Sequence, residues 1–415
     1  MKVTVIGLGY VGLPTAAVLS EAGHDVLGID LNPEIVRTIN KGEIHIVEPG
    51  LATSVKNSVN NGKLRASHNH EPAEIYIIAV PTPLDDKERP DLSFIKEAIS
   101  NLTDILKKGD LIILESTSPV GTTELIRDWI ADERNDLKIP ELDQDSDSDL
   151  YIAHCPERVL PGNILHEIIY NDRIIGGISR SCSLKTESFY LSFTKGECLI
   201  TNSRLAEFSK LAENAFRDVN IAFSNELSII SEEVGVNVWE LISLANKHPR
   251  VNILKPGPGV GGHCIAVDPL FIANSVKNGT PLINAARTVN NSKPQFVLKK
   301  LENLIDKKGV PLNELSISIF GLSYKPDIDD LRESPSLDIA LQISNMPFKK
   351  ISILEPNLKT IPKIFQNKVE FNEDLDASLE SDILLFLVAH SEFSRAKKFD
   401  LSRDSILDTC GLLED

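Results

Sequence analysis

The sequence has no excess of basic residues and no long hydrophobic run, and each absence excludes a class of protein. Of its 415 residues, 60 are acidic and 43 basic, which gives a formal net charge of −17. This charge argues against a nucleic-acid-binding or anionic-membrane surface, so any site for a phosphorylated ligand must be a local basic pocket. No apolar run approaches a membrane span, and the N-terminus begins in a strand pattern rather than a signal peptide.

Cysteine is also sparse, and its arrangement is informative. The five cysteines are scattered and odd in number: Cys155, Cys182, Cys198, Cys264 and Cys410. They fit thiols in a reducing compartment better than a disulfide framework, so we expect a cytoplasmic protein. Two His-Cys dipeptides suggest zinc, but adjacent side chains usually diverge and the usual zinc-ligand spacings are missing. No metal is therefore expected.

The first segment has the pattern of a dinucleotide-binding turn. A buried strand is predicted over residues 2–6, the glycine-rich run GLGYVG (7–12) follows at once, and residues 13–22 have helical apolar spacing. A second predicted strand ends in Asp30, 18 residues after Gly12. Such glycines bring a pyrophosphate to a helix N-terminus, and the acid accepts from ribose hydroxyls. Because Asp30 would repel a 2′-phosphate, the pattern favours NAD over NADP. The alternative is an ordinary strand–helix turn.

Predicted strands recur at residues 75–80, 111–115 and 150–153, separated by helical stretches, which is typical of a doubly wound parallel sheet. Ligands bind such sheets at the carboxyl ends of the strands. The loops that follow these strands, residues 81–83, 116–122 and 154–162, are therefore expected to contact cofactor or substrate. Proline-rich loops, and a plain ion pair between Glu157 and Arg158, are the alternatives.

A long helix is predicted over residues 203–234, because apolar residues follow helical spacing without a glycine or proline. Its wide apolar stripe suits a central position or a subunit interface. Lys210 and Asn214 lie one helical turn apart on it. Taken alone, these two residues favour a solvated face.

Residues 256–269 form a loop with four glycines, three prolines and one thiol, Cys264. Glycine permits close backbone approach and proline stiffens a turn, so the loop suits a phosphorylated ligand held beside a nucleophilic sulfur. A tight loop beside an inert buried cysteine is an equal alternative.

The last hundred residues repeat the strand–helix alternation, with predicted strands at 315–320, 351–354 and 383–388. The basic residues of 321–335 suit a second phosphorylated ligand, or form a solvated charged turn.

We therefore predict an α/β protein with two Rossmann-like doubly wound domains joined by a central long-helix region. The NAD-binding domain is expected over residues 1–200, and the central helical domain with the cysteine loop over 201–304. A C-terminal α/β domain is expected over 305–415.

These motifs together resemble the UDP-glucose/GDP-mannose dehydrogenase family almost end to end. The similarity is carried by GLGYVGLP (7–14), STSPVGT (116–122), PER (156–158), the Lys210 and Asn214 helix, GGHCIAVDP (261–269) and GLSYKPDIDDLRESP (321–335). Residues 154–162 and 246–269 are most similar to members that oxidise UDP-N-acetyl-D-mannosamine. Leu270 departs from the pattern, since an aromatic residue is expected there.

The resemblance implies a four-electron oxidation of a sugar C6 alcohol to a carboxylate, with two NAD⁺ used in turn, for the synthesis of surface polysaccharide precursors. Cys264 would carry a thiohemiacetal and then a thioester, while Lys210 and Asn214 stabilise the alkoxide. Glu157 would be the base in hydrolysis, with Thr117 positioning the water and Asp268 supporting the network. A UDP-N-acetyl-hexosamine substrate and a homodimer are expected, without a nucleic-acid or membrane partner.

The resemblance also implies further contacts. For the cofactor they are Gly7, Gly9, Tyr10, Val11, Gly12, Asp30, Pro81, Thr82 and Thr117. For the substrate they are Glu157, Arg158, Val159, Lys210, Asn214, Arg250, Gly257, Gly261, Lys325 and Arg332. The alternatives are the same chemistry on UDP-N-acetylglucosamine or UDP-glucose, a two-electron NAD dehydrogenase, and a non-catalytic NAD-binding regulator.

Overall fold

The computed structural model describes residues 1–145, 147–365 and 368–414. The chain forms two compact units, residues 1–213 with 270–277, and residues 214–269 with the chain from 278 onwards. From the N-terminus to the first long helix, the elements are β1 (Lys2–Ile6), α1 (Gly12–Glu21), β2 (Asp25–Ile29), α2 (Pro33–Asn40), α3 (Leu51–Asn60), β3 (Leu64–Ser67), β4 (Ile75–Ile78), α4 (Ser93–Thr103), β5 (Leu111–Leu114), α5 (Thr122–Glu133), β6 (Tyr151–His154), α6 (Ile164–Tyr170), β7 (Arg173–Gly177), α7 (Arg180–Tyr190) and β8 (Cys198–Asn202).

The rest of the chain begins with helices and ends with a second set of strands. Its elements are α8 (Ser203–Val234), α9 (Val238–Ala245), α10 (Asp268–Ser275), α11 (Pro281–Lys308), β9 (Ser316–Phe320), α12 (Pro335–Ile343), β10 (Lys350–Leu354), β11 (Glu370–Phe371), α13 (Leu375–Ser378), β12 (Ile383–Phe386) and β13 (Ile406–Asp408). The predicted α/β class, with two Rossmann-like sheets and a long central helix, is confirmed. Helix α8 has the predicted bounds.

The first unit is built on one eight-stranded sheet, in the order β3-β2-β1-β4-β5-β6-β7-β8. Its central strands β4 and β5 are wholly buried and apolar apart from Tyr76, as expected where helices cover both faces of a sheet. Alternate residues of β4 separate accordingly: Ile75 and Ile77 belong to one buried cluster, Tyr76 and Ile78 to another. The strand order reverses between β1 and β4, and this switch point is where such sheets bind ligands.

The sequence prediction of a parallel sheet is wrong at β7, a strand that it did not include, because β7 runs antiparallel to β6. The connection between them, residues 155–172, contains only the short helix α6, so the chain stays at the carboxyl edge instead of crossing back. Arg173, the first residue of β7, is therefore placed at the edge where β6 ends.

In the second unit, a five-stranded parallel sheet has the order β11-β10-β9-β12-β13. Its two faces again bury separate apolar clusters, for example Ile317 and Ile319 on one side and Phe320 on the other. The order reverses between β9 and β12, so the loop after β9 leaves the sheet at a switch point.

Within the described ranges, none of the helices is both long enough and apolar enough to cross a membrane.

Candidate active site

The glycine-rich turn between β1 and α1 depends on close backbone contacts. Gly7 adopts a φ of +89° and donates its N–H to the Ile29 carbonyl at 2.8 Å. A Cβ at Gly12 would lie only 1.8 Å from the Gly7 oxygen, so α1 can start there only with glycine. A Cβ at Gly9 would meet nothing within 4 Å, so that side of the turn is open. The turn therefore fits a pyrophosphate at the N-terminus of α1.

Asp30 follows β2 and lies beside the same turn. Its carboxylate accepts from the Leu8 N–H at 3.0 Å and from the Asn32 N–H at 2.9 Å. Two backbone donors thus fix an acid next to the glycine turn, in the position that suits adenosine ribose hydroxyls. Tyr10 and Val11 are half-buried in the turn, and Tyr10 packs against the core.

The loops after β4 and β5 are joined by hydrogen bonds. The Thr82 hydroxyl donates to the Thr117 carbonyl at 2.6 Å, and the Ser116 hydroxyl donates to the Val80 carbonyl at 2.7 Å. Pro81 is exposed, while Thr82 and Thr117 are half-buried. The structure therefore brings the predicted cofactor residues Pro81, Thr82 and Thr117 together at the carboxyl edge.

Glu157 is buried in the loop after β6, and its ion-pair partner is Arg173 rather than Arg158. The Arg173 guanidinium donates to Oε2 of Glu157 at 2.8 Å, and both side chains are nearly inaccessible (3% and 7% exposed). The other oxygen, Oε1, accepts from the Arg158 N–H at 2.7 Å. The Arg158 side chain instead pairs with Glu213 at 3.1 Å, so a simple pair between Glu157 and Arg158 is wrong. Val159 is half-buried beside them.

A second carboxyl group, Glu115, lies in the same buried cluster. The Tyr190 hydroxyl donates to it at 2.7 Å. Burial, and then the charge of Glu157, raise the pKa of Glu115 to about 7, and burial raises the pKa of the neighbouring Cys155 thiol to about 12. The sequence prediction missed Glu115, Arg173 and Tyr190. The one available signal in the sequence was Glu115 itself, a charged residue directly after the apolar run of β5.

Two predicted catalytic residues lie on α8. Lys210 belongs to the first unit and is half-buried. Burial lowers the pKa of His154, and the charge of Lys210 contributes to the same shift. Asn214 belongs to the second unit, where its amide donates to the Asp268 carboxylate at 2.5 Å. Asp268, at the start of α10, is 1% exposed, and its N–H donates to the Cys264 carbonyl at 2.8 Å. The structure therefore connects Asn214, Asp268 and the cysteine loop.

The cysteine loop is held by contacts at Gly257 and Gly261, and the second of these requires glycine. The Gly257 N–H donates to the Asn225 side chain of α8 at 2.9 Å. A Cβ at Gly261 would lie 2.3 Å from the Glu333 carbonyl oxygen, so this loop packs directly on the segment after β9. Cys264 follows and is exposed, which contradicts the inert buried alternative. The arrangement presents a thiol on a rigid loop.

The loop after β9 carries the predicted basic residues and is held by a buried network. The Glu355 carboxylate accepts from two backbone N–H groups of this loop and lies 3.1 Å from His390. Lys325 is half-buried, while the exposed Arg332 pairs with Asp330 at 2.6 Å. The sequence prediction missed Glu355 and His390, because they come from separate strands.

Arg250 lies in the exposed turn after α9. Among the described residues, no group of three or more His, Cys, Asp and Glu side chains is arranged to hold a metal ion.

The predicted site residues fall into two sets. The first unit holds the glycine turn, Asp30, Thr117, Glu157 and Lys210, and the second holds Asn214, Cys264, Asp268, Lys325 and Arg332.

The dinucleotide-binding turn, with an acid after the following strand, places the first unit in the class of NAD-binding domains. Residues 1–194 match the NAD-binding domain of the UDP-glucose/GDP-mannose dehydrogenase family, residues 204–292 its central domain and residues 318–415 its UDP-binding domain. The chain belongs to this family, and its cofactor is NAD. The family resemblance is therefore confirmed, whereas the roles assigned to individual residues stay predictions.

Curated relatives and solved structures match nearly the whole chain. It is 48% identical over 410 residues to NDP-N-acetyl-D-galactosaminuronic acid dehydrogenase of Ralstonia nicotianae, covering 99% of this chain and 96% of the relative. It is 50% identical to UDP-N-acetyl-D-mannosamine dehydrogenase of Campylobacter jejuni, covering 99% of both. The structure of UDP-D-ManNAc dehydrogenase from Pyrococcus horikoshii superposes with a TM-score of 0.88 at 36% identity, covering 100% of this chain and 96% of that one.

Proposed function

We propose that this chain oxidises the C6 alcohol of UDP-N-acetyl-D-mannosamine to the carboxylate of UDP-N-acetyl-D-mannosaminuronate, with two NAD⁺ used in turn. The main support is the near-complete similarity to curated relatives named for UDP-N-acetyl-D-mannosamine. The exposed thiol of Cys264 in its glycine-rich loop supports the four-electron reaction. We place the enzyme in the cytoplasm, where it supplies precursors for surface polysaccharide.

The first oxidation removes a hydride and a proton from the alcohol, so the developing alkoxide needs hydrogen-bond donors. Lys210 and Asn214 lie four residues apart on α8 and supply an ammonium and an amide from one face. The bond from Asn214 to Asp268 sets the orientation of that amide. Bound NAD⁺ supplies the hydride acceptor.

Cys264 then adds to the aldehyde, so that a C–S bond forms and the thiol proton moves to the carbonyl oxygen. Loss of a second hydride and a proton from this thiohemiacetal gives a thioester. Water cleaves the thioester, which releases the carboxylate and restores the thiol. The covalent bond retains the aldehyde between the two oxidations.

Glu157 is proposed as the base that takes the proton from the attacking water, with Thr117 positioning that water. Its ion pair with Arg173 orients one carboxylate oxygen, and the Arg158 N–H binds the other. We infer that Arg173 acts on the reaction only through the position and charge of Glu157.

The proposed substrate contacts come from all three predicted segments, 1–200, 201–304 and 305–415. Lys325 and Arg332, after β9, are proposed to bind the pyrophosphate as cations. The other proposed contacts are Arg158, Val159, Arg250, Gly257 and Gly261. We also propose a homodimer through α8, where Phe216, Phe223 and Ile230 form an exposed apolar stripe.

A second candidate substrate is UDP-N-acetyl-D-galactosamine. The relative from Ralstonia nicotianae, 48% identical to this chain, is named for an N-acetyl-D-galactosaminuronic acid. The two sugars share the UDP group, the N-acetyl group and the C6 alcohol. The reaction and its residues are the same for both candidates.

The test assays NADH formation on four sugars: UDP-N-acetylmannosamine, UDP-N-acetylgalactosamine, UDP-N-acetylglucosamine and UDP-glucose. We expect the highest kcat/KM for the first and the lowest for UDP-glucose, because a site that binds an N-acetyl group leaves buried polar groups unpaired without it. Two NADH should form per sugar consumed, and the product should be an acid.

Cys264→Ala should abolish acid production while NAD⁺ and the UDP-sugar still bind. The matched control Cys198→Ala, a half-buried cysteine of β8, should keep wild-type turnover. One NADH per sugar, or near-normal turnover of Cys264→Ala, would exclude the covalent mechanism. A higher kcat/KM for another sugar would correct the substrate alone.

A further inference from the structure

The second unit contains a cavity of about 540 Å³ that the proposed reaction does not use. Its walls come from α8, α9, α11 and the segment around β13, and they include the aromatic side chains Trp239, Phe296 and Phe399. A volume of roughly 300–1,000 Å³ is typical of small-molecule sites, and the lining here is more polar than apolar.

Lys293 of α11 lines this cavity and is only 3% exposed. Its Nζ donates to the Ser228 hydroxyl at 2.6 Å and lies 4.6 Å from the centre of the Phe296 ring. Buried ammonium groups are normally paired with a carboxylate. Within the described part of the chain, no carboxylate forms an ion pair with Lys293. Its charge is therefore uncompensated.

Three further cations line the cavity. Lys300 lines it and already pairs with Glu232 at 2.6 Å. Lys397 donates to a backbone carbonyl, that of Glu414. Arg403 also lines the cavity, and among the described residues it forms no ion pair.

Four carboxylates also line the cavity, the partner of Lys300 among them, so its carboxylates and cations are equal in number. Asp408 accepts from the backbone N–H groups of residues 410, 411 and 413, and Glu414 accepts from the Asn237 amide at 3.3 Å. Asp400 is the remaining carboxylate in the lining. In the described part of the chain none of these carboxylates forms an ion pair with Lys293, so Lys293 is distinguished by its burial without a carboxylate partner and not by an excess of cations.

Ser231 supplies a second buried polar group in the lining of the same cavity. It is 2% exposed, lines the cavity, and has a hydroxyl oxygen without a hydrogen-bond partner among residues 1–145, 147–365 and 368–414. Ser228 and Ser231 are three residues apart on α8, which places their side chains on one helix face. A buried hydroxyl without a partner is costly, and an oxyanion that accepts from it would remove that cost.

We propose that this cavity binds a metabolite-sized molecule through a phosphate or carboxylate group held by Lys293, Ser228 and Ser231. The aromatic side chains of the cavity walls would contact the rest of that molecule. Burial, and then the charge of Lys300, lower the pKa of Lys293 to about 7, and a bound oxyanion would favour its ammonium form. The inference does not depend on the proposed reaction.

The test is calorimetric titration of the full chain with inorganic phosphate and, separately, with succinate, at pH 7 and constant ionic strength. Pro256 of the cysteine loop also lines the cavity, so anion binding at the proposed substrate site has to be distinguished from binding in the cavity. Saturating UDP is therefore added to occupy the substrate's phosphate site. We expect binding of at least one anion, and whichever binds more tightly identifies the group. Lys293→Met should weaken this binding at least tenfold. Lys299→Met, an exposed lysine of the same helix, should not change it.

Ser231→Ala removes the hydroxyl with little change in volume and should weaken binding several-fold, so the proposal remains testable if Lys293→Met does not fold. Three results would each overturn the proposal of a separate anion site. The wild type could bind neither anion, its binding could disappear when UDP is added, or Lys293→Met and Lys299→Met could have equal affinity.

Discussion

Glu115 and Glu157 lie around one guanidinium at the carboxyl edge of the first sheet. Arg173 donates to Glu157, whereas Glu115 receives only the Tyr190 hydroxyl at one oxygen. Its other oxygen has no hydrogen-bond partner in the described part of the chain. Since burial and the nearby Glu157 charge raise the pKa of Glu115 to about 7, this cluster retains a proton close to neutral pH.

Glu115→Gln should remove a pH-dependent loss of stability. The carboxyl group titrates near 4.5 when unfolded and at about 7 when folded. Between these values the folded state binds more protons, so wild-type stability falls as pH rises from about 5 to about 7 and stays low above that. Glutamine has no proton to lose. Its advantage over wild type should therefore grow by roughly 1–3 kcal/mol between pH 5 and pH 8.

Urea unfolding of both proteins across this pH range measures the effect. Glu21→Gln, at the exposed end of α1, is the matched control and should follow the wild-type pH dependence. If the Glu115→Gln curve ran parallel to wild type, Glu115 would be ionised in the folded protein.

Single residues could be predicted from the sequence where local spacing fixes them. Asp30 is such a residue, because the strand, turn and helix before it determine its position. Arg173 could not be predicted, since it approaches Glu157 only because β7 runs antiparallel to β6. His390 and Glu355 meet for a similar reason, at the ends of two strands far apart in sequence.

The turn between β1 and α1 leads to a prediction with two glycines. Gly9→Ala should leave the apo protein as stable as wild type, because the added Cβ meets nothing within 4 Å, but it should weaken NAD⁺ binding at least tenfold by occupying the ligand side. Gly12→Ala should destabilise the protein itself, by roughly 1–3 kcal/mol, because its Cβ would lie 1.8 Å from the Gly7 oxygen.

Melting of the apo proteins and titration with NAD⁺ separate the two effects. Gly23→Ala is a useful third variant: its Cβ also meets nothing, but its φ of +94° should reduce stability without an effect on the cofactor site. Unchanged NAD⁺ affinity in Gly9→Ala would show that the pyrophosphate lies elsewhere.

Elements with a strong local pattern could be predicted closely. Helix α8 has 32 residues without glycine or proline, and its apolar spacing gave both ends correctly. Strands β7 and β8 were missed. Arg173 begins β7, two glycines end it, and β8 is largely exposed, so neither has the continuous apolar run of a buried strand.

At the scale of the whole molecule, the boundary between the two compact units falls inside α8, between Glu213 and Asn214. A continuous helix gives no compositional change there, so the sequence could not indicate it. The three-segment division, 1–200, 201–304 and 305–415, stays a prediction. Lys210 and Asn214 belong to different units although one helical turn separates them.

The proposed homodimer is the last prediction, and it belongs to the whole molecule. Phe216, Phe223 and Ile230 follow one another at intervals of seven residues and are 68%, 51% and 46% exposed. Such a stripe needs a partner surface, and a second copy of α8 supplies one through two-fold symmetry. Wild type should therefore have twice the chain mass of 45.7 kDa in light scattering, whereas Phe223→Glu should have the single mass.

Glu226→Ala, at an exposed polar position of the same helix, should remain dimeric. We further propose that Arg250 contacts the UDP-sugar bound by the partner subunit. The Phe223→Glu monomer should therefore also show a KM for UDP-sugar raised at least tenfold, with NAD⁺ affinity unchanged. A wild-type monomer at micromolar concentration would contradict the dimer. A Phe223→Glu monomer with wild-type KM would instead limit the role of Arg250 to its own subunit.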